Sequence, residues 1–102
     1  IEKLIATLHA SLQRRWSVAD MAATIPCSEA WLRRLLLRYT GKTPKEYYLD
    51  ARLELALSLL KQEGNTVGQV ADMLNFFDSF HFSKAFKHKF GYAPSAVLKH
   101  EK

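Results

Sequence analysis

The sequence predicts an all-α protein of about seven helices. Apolar residues recur at intervals of three and four, whereas the strict alternation that is typical of strands is absent. Glycines and prolines fall where helices are expected to stop or start. With 102 residues, of which 48% are apolar and 25% charged, the chain can bury one core of ordinary size, or two small cores that share a helix.

Two helices are predicted before Pro26. The first is amphipathic and is expected to end near Arg14 and Arg15; its apolar face consists of Ile1, Leu4, Ile5, Leu8 and Leu12. Ser17 suits the N-cap of the second helix, and Asp20, three residues on, suits the acidic partner of a capping box. Pro26 then stops this helix.

The third and fourth helices are predicted from a serine cap, a glycine stop and a proline start. Ser28 is expected to cap the third helix and Gly41 to end it, with a buried face formed by Leu32, Leu35, Leu36 and Tyr39. Pro44 suits the first turn of a long fourth helix that runs to Gly64. At about 19 residues this helix would be roughly 28 Å long.

Three more helices complete the chain. Thr66 is expected to cap the fifth, whose inward residues are Val67, Val70, Ala71 and Leu74. A turn over residues 75–78 leads to the sixth, which Gly91 ends and which is traced by Phe82, Ala85, Phe86, Lys89 and Phe90. Pro94 opens a short seventh helix.

The chain contains one unit twice. The aligned pairs, at an offset of 49 and then of 50, are Ser17 with Thr66, Ala22 with Ala71, Glu29 with Asp78, Leu36 with Phe86 and Gly41 with Gly91. Each copy has an N-cap, a short helix, a turn, a second helix and a glycine stop, which is the pattern of a helix-turn-helix. A solenoid would need about three or more copies.

The stretch 17–94 resembles the DNA-binding domain of the AraC/XylS family of bacterial transcription regulators. The resemblance is most specific in the second copy, in the runs TVGQVA, NFFDSFHFSKAFK and FGYAPS. This chain departs from the family pattern at Asn75, where a turn glycine is usual, at Lys99, near a common arginine, and at Pro26 in the first turn. Asparagine tolerates positive φ well, so the turn at Asn75 is expected to survive.

The resemblance implies two helix-turn-helix units, at about 17–40 and 66–90, joined by a linker helix at about 44–62. It also implies that their second helices, about 28–39 and 79–89, enter adjacent major-groove segments on one face of double-stranded DNA.

Helical spacing alone places a basic face, without acids, on the outside of the third helix. Arg33 and Arg34 are expected to read bases, because an arginine fork can bridge the two acceptors of guanine, with Arg38 nearer the DNA backbone. Glu29 and Asp78, in the opening turns, could accept from a cytosine amine. The candidate DNA-binding residues are Ala30, Trp31, Arg33, Arg34 and Arg38 in the first copy, and Ser79, Phe80, His81, Ser83, Lys84 and Lys87 in the second. The second copy has no arginine here, so its readout is expected to be softer.

Several of these residues have a second interpretation. Trp31 and Phe80 are equally consistent with packing in a core, and arginines at helical spacing are also typical of any solvated face. The duplication of the basic face favours contact with nucleic acid. Ser17 and Thr66 are first of all caps, with phosphate binding at the same helix N-termini as an added role. Lys45 is a further candidate for a phosphate contact.

Charge and residue content limit the function classes. A net charge of +5 and a pI near 9.5 favour a polyanionic partner. The single cysteine, Cys27, excludes an internal disulfide and fits a reducing compartment, and the four histidines lack paired metal-ligand spacing. No phosphate-cradling glycine loop is present, and no apolar stretch is long enough to span a bilayer. We therefore expect a cytoplasmic protein that is not an enzyme and that uses no metal or cofactor.

The sequence thus predicts a sequence-specific double-stranded DNA-binding domain of a bacterial transcription regulator. The alternative is a helical protein-interaction module that docks on an acidic partner or on RNA polymerase. Because the chain begins at Ile1 rather than at methionine, we expect it to be part of a longer regulator whose effector-sensing domain is missing here.

Overall fold

The computed structural model describes residues 2–62 and 64–100, and the side chains of these residues up to Leu98. Within these ranges every regular element is helical, which confirms the predicted class. The seven helices are α1 (Glu2–Ala10), α2 (Val18–Thr24), α3 (Glu29–Thr40), α4 (Pro44–Lys61), α5 (Val67–Met73), α6 (Ser79–Phe90) and α7 (Pro94–His100). Two compact units divide between Ala51 and Arg52, so that α4 contributes its first part to unit 1 and the remainder to unit 2.

The predicted caps of unit 1 are confirmed. The Oγ of Ser17 accepts from the backbone N–H of Asp20 at 3.0 Å, and the Asp20 carboxylate accepts from the backbone N–H of Ser17 at 3.0 Å, which completes a capping box. Ser28 caps α3 by accepting from the backbone N–H of Trp31 at 3.1 Å. Gly41 ends α3 in the left-handed conformation, with φ at 79°. Both helices of the first helix-turn-helix therefore have fixed ends.

The predicted end of the first helix near Arg14 and Arg15 is wrong, because α1 stops at Ala10. Residues 11–13 form turns, in which the backbone N–H groups of Ser11 and Arg14 each donate to the carbonyl three residues earlier, and the Ser11 carbonyl also accepts from the indole N–H of Trp16 at 2.9 Å. Leu12 is still buried, but from the turn rather than from the helix. Ile1, which was placed on the same apolar face, lies outside the described residues.

The buried face predicted for the third helix is only partly confirmed. Leu32 and Leu36 are buried and Leu35 is half-buried, but Tyr39 is 60% exposed. Tyr39 lies in the last turn of α3, two residues before the glycine stop Gly41, and helical periodicity alone does not say how far along a helix the apolar face is covered.

Unit 2 begins its helix-turn-helix with a second complete capping box. The Thr66 hydroxyl accepts from the backbone N–H of Gln69 at 3.1 Å, and the Gln69 side-chain oxygen accepts from the backbone N–H of Thr66 at 3.0 Å. The core of this unit is formed by Leu53, Ala56, Leu60, Val70, Ala71, Leu74, Phe82, Phe86 and Val97. Asn75 adopts the left-handed conformation predicted for this turn, with φ at 63°.

The predicted alignment of Asp78 with Glu29 is wrong by one residue. Asp78 is the N-cap of α6, the position that Ser28 occupies before α3, so the two caps are related by the offset of 50. The first turn comprises residues 25–28 and the second comprises residues 74–78. The extra residue of unit 2 therefore lies in the turn, and it places a carboxylate at the start of α6.

Candidate nucleic-acid interface

The exposed side of α3 combines cations with apolar side chains. Arg33, Arg34 and Arg38 are exposed on the side away from Leu32 and Leu36, as predicted. Trp31 is 51% exposed and Leu37 is 55% exposed on the same helix. An α-helix of this width fits a major groove, where arginine forks bond to guanine and apolar groups contact the thymine methyl.

The prediction that this face lacks acids is wrong. Glu29, one turn before Arg33, lies 3.7 Å from the Arg33 guanidinium nitrogen. Both side chains are about half exposed, so this ion pair contributes on the order of 0 to 1 kcal/mol to stability. Arg33 can therefore leave Glu29 to bind a DNA group that interacts with it more strongly. Arg34 has no ion pair within the described residues and is therefore the more available fork of the two.

The structure separates the two interpretations of the aromatic residues. Trp31 keeps half of its surface exposed, and Phe80 is 70% exposed, so neither side chain is part of the core of its unit. The alternative role for both residues was packing in a hydrophobic core, and their exposure within each unit does not fit that role. Large exposed aromatic side chains on a helix that also carries cations are typical of an interaction surface.

The outer surface of α6 holds most of the predicted second set. Ser79, Phe80, His81, Lys84 and Lys87 are exposed. Ser83 is half-buried beside the core residue Phe82, so the side chain is only partly accessible on the outer surface where it was predicted.

Asp78 and His81 form a double hydrogen-bonded contact at the start of α6. One oxygen of Asp78, Oδ1, lies 2.8 Å from the backbone nitrogen of His81 and 2.7 Å from its ring nitrogen Nδ1. The pKa of Asp78 is lowered, first by the hydrogen bond from the His81 backbone and then by that from the His81 side chain. The Asp78 carboxylate is therefore kept ionised at neutral pH.

Two exposed aromatic rings contact the same imidazole. The Phe77 ring centroid lies 5.2 Å from that of His81 at an interplanar angle of 87°, and the Phe80 centroid lies 5.8 Å away at 89°. Both arrangements are edge-to-face, which is a preferred geometry for aromatic pairs. The sequence reasoning missed Phe77, which is 86% exposed and follows the left-handed turn.

The hydroxyl groups of the two capping residues, Ser17 and Thr66, form hydrogen bonds within the chain. The hydroxyl oxygens of Ser17 and Thr66 each accept a backbone hydrogen bond, as described above. Either hydroxyl can still donate its own hydrogen to a phosphate, and the first N–H groups of a helix have no acceptor within that helix. Lys45 is exposed in the first turn of α4.

Two buried contacts that the sequence reasoning missed position these helices. In unit 1 the Tyr48 hydroxyl donates to the carbonyl of Arg14 at 2.9 Å and accepts from the backbone N–H of Trp16 at 3.4 Å, so it fixes the chain that enters α2. Trp16 is buried, with the Arg14 guanidinium 4.1 Å from its ring centroid. These partners are more than thirty residues apart in sequence, and no local pattern signals them.

In unit 2 Arg52 holds the turn of the helix-turn-helix. Its Nη1 donates to the carbonyls of Leu74 at 3.1 Å and Asn75 at 3.4 Å, and its guanidinium lies 4.4 Å from the ring centroid of Phe76. Lys or Arg at a helix C-terminus stabilises the last carbonyls of the helix. In the sequence, this role of Arg52 was indicated only by its position as a cation on an otherwise apolar side of the long helix.

The part of the chain that the structure describes contains neither a metal-binding cluster nor a membrane-spanning helix. Within it, no three His, Cys, Asp or Glu side chains lie together in a way that could hold a metal ion. None of the described helices has the length and apolar character that crossing a bilayer requires. Cys27 is half-buried in the first turn, with its Sγ 3.8 Å from the carbonyl oxygen of Ala22.

Comparison with known proteins identifies the class to which this arrangement belongs. Residues 21–100 match the family described as "Helix-turn-helix domain". The HTH-type transcriptional regulator YidL of Escherichia coli (strain K12) is 93% identical over 99 residues, which cover 97% of this chain and 33% of that protein. The HTH-type transcriptional regulator GbdR of Pseudomonas aeruginosa (strain UCBPP-PA14) is 32% identical over 94 residues, which cover 92% of this chain and 26% of that protein.

Solved structures show the same fold. An AraC-type transcriptional regulator from Chromobacterium violaceum superposes with a TM-score of 0.92 at 27% identity, covering 98% of this chain and 89% of that chain. The DNA-binding domain of AdpA, solved in complex with a target DNA, has a TM-score of 0.90 at 22% identity, covering 97% and 89%. This chain belongs to the helix-turn-helix family as a transcription-regulator DNA-binding domain of the AraC/XylS type. It spans about a third or less of the length of the two curated relatives above.

Proposed function

We propose that this chain binds double-stranded DNA sequence-specifically by inserting α3 and α6 into successive major-groove segments. The observation that carries the proposal is the duplicated unit, in which a capped second helix presents exposed cations and aromatic side chains. The proposed organisation is a first helix-turn-helix at about 17–40, a linker helix at about 44–62 and a second helix-turn-helix at about 66–90.

The proposed roles follow from exposure and charge. Arg34, with Arg33, reads bases, because guanidinium forks match guanine. The lysines bind phosphate as point charges, and Arg38, near the end of α3, also binds phosphate. The proposed phosphate contacts are therefore Arg38, Lys45, Lys84 and Lys87. Trp31 and Phe80 contact sugar or thymine methyl groups. The rest of the proposed DNA-contacting set is Ala30, Ser79, His81 and Ser83. Ser17 and Thr66 mark helix N-termini that bind phosphate.

We further propose that this domain acts within a longer, cytoplasmic bacterial regulator that carries an effector-sensing domain and has no enzymatic activity. The lengths of YidL and GbdR and the DNA complex of AdpA support this proposal. Contact with RNA polymerase is a second proposed role, supported by the exposed apolar side chains of unit 2, such as Met73 and Phe77.

The proposal is tested by selecting bound duplexes from a random pool and titrating the preferred duplex against a scrambled one. A specific reader binds the preferred duplex on the order of 10³-fold more tightly or better. An interaction module shows equal affinity for both, and this result would contradict the proposal. A single copy of the chain should protect about two helical turns of DNA from cleavage.

A salt titration of the same complex tests the electrostatic part. If the four cations assigned to phosphate and the two arginines Arg33 and Arg34 all displace counterions from the DNA, log affinity should fall against log salt concentration with a slope near −5, from about −0.9 per neutralised phosphate. Lys87→Ala should make the slope shallower by about 1, whereas Lys61→Ala, at an exposed cation in the last turn of α4, should leave it unchanged. A slope shallower than about −2 would contradict a footprint that includes both units.

A further inference from the structure

We propose that Asp78 and His81 form a base-reading pair, in which Asp78 fixes the tautomer of His81 so that the neutral ring offers Nε2 as an acceptor to a base that carries an exocyclic amine. The inference rests on the proposed function and deepens it, because it names the base chemistry that α6 recognises. Asp78 is a positioning residue in this scheme, and His81 is the residue that contacts the base.

The tautomer follows from the chemistry of the carboxylate. Asp78 is ionised and therefore only accepts hydrogen bonds. Since Oδ1 of Asp78 lies 2.7 Å from Nδ1 of His81, that ring nitrogen carries a hydrogen whether the imidazole is neutral or protonated. The protonation state of the ring then changes only Nε2, which accepts when the ring is neutral and donates when it is charged.

The position of the ring is restricted on three sides. Asp78 holds Nδ1, and the edge-to-face contacts with Phe77 and Phe80 limit rotation of the ring. The His81 side chain nevertheless remains 58% exposed, and Nε2 makes no hydrogen bond to the described part of the chain. An exposed side chain that is fixed before binding loses less conformational entropy when it engages a ligand.

The major groove offers two kinds of partner for Nε2. The amines of cytosine N4 and adenine N6 are donors, so they match the neutral ring, whereas guanine O6 and N7 and thymine O4 are acceptors and match the protonated ring. Asp78 is the charged group that contacts the imidazole, and the other contacting side chains, Phe77 and Phe80, do not titrate. A ring held with its hydrogen on Nδ1 therefore matches cytosine or adenine at this position.

Asp78→Ser provides a test that preserves the helix. Serine is as good an N-cap as aspartate, and Ser28 occupies the equivalent position before α3, so α6 should remain capped. The substitution removes the carboxylate that fixes Nδ1–H. The full chain, Asp78→Ser, His81→Ala and His81→Gln are compared by selection from a randomised duplex pool at pH 8, with circular dichroism to verify helix content.

At one base pair the unmodified chain should prefer an amine-bearing base by about tenfold. His81→Ala should abolish this preference at that position alone, and Asp78→Ser should reduce it below about threefold. His81→Gln should restore a preference for adenine, because glutamine bonds to adenine N6 and N7.

The inference is overturned if Asp78→Ser selects the same base as the unmodified chain with the same strength of preference. It is equally overturned if His81→Ala changes no position, or if the affected position prefers guanine at pH 8. In these cases the chain still selects a sequence and the proposed function stands. Failure of the unmodified chain to select any duplex overturns the proposed function itself.

Discussion

Replacing Arg52 by methionine should lower the free energy of unfolding of unit 2 by about 2 to 3 kcal/mol. The charged hydrogen bond to the Leu74 carbonyl, at 3.1 Å, contributes about 1.5 kcal/mol, and the longer contact to Asn75, at 3.4 Å, contributes less. The guanidinium over the Phe76 ring adds about 0.5 to 1 kcal/mol. Methionine retains the apolar stem, so the loss reports the guanidinium itself.

The loss is measured by urea unfolding followed by circular dichroism, together with amide hydrogen exchange in α5 and α6. A loss of 2 to 3 kcal/mol accelerates exchange in these helices by about 30- to 150-fold. Arg15→Met is the matched control, because Arg15 is exposed and has no hydrogen bond or ion pair within the described chain. If Arg52→Met costs less than about 0.5 kcal/mol, or no more than the control, Arg52 does not hold this turn.

Three further predictions concern DNA reading, backbone conformation and pH. Arg34→Ala should cost about 1 to 3 kcal/mol on the preferred duplex and relax one base pair, whereas Lys87→Ala should weaken preferred and scrambled duplexes alike. Titration of labelled duplexes checks this, and equal losses for Arg34→Ala on both would indicate a phosphate contact. Asn75→Ala should destabilise by about 1 kcal/mol, because φ is 63° there, while Asn75→Gly should be near neutral. Thermal unfolding ranks the two variants, and the reverse order would refute the argument from strain. The hydrogen bond from the Ser17 backbone lowers the pKa of Asp20 below its value in the unfolded chain. Its contribution to stability is therefore complete above about pH 4 and is lost as the pH falls through the lowered pKa. Urea midpoints between pH 5 and 2 should fall less steeply for Asp20→Asn, and parallel curves would contradict this assignment.

Local signals in the sequence were sufficient for the helices and their caps. Ser17 with Asp20, Thr66 and the glycine stops act within four residues of the backbone groups that they satisfy. The pattern of such signals, repeated at a nearly constant offset, also indicated the two helix-turn-helix units. The offset between the two copies changes from 49 to 50 within the turn, but the sequence did not show at which residue. The reason is that the two N-caps, Ser28 and Asp78, differ in residue type and were not aligned with each other.

The sequence by itself determined the all-α class, the duplicated unit and the cationic outer sides of the second helices, because helical periodicity and capping are short-range properties of the chain. Only the tertiary structure decided which periodic residues were covered: Leu36 is buried, whereas Tyr39, on the same periodic face of α3, is exposed. The tertiary structure also decided which polar groups form hydrogen bonds with residues more than twenty positions away in the sequence, as Tyr48 and Arg52 do. Such contacts depend on how the helices pack against each other, and no interval along the chain encodes that packing.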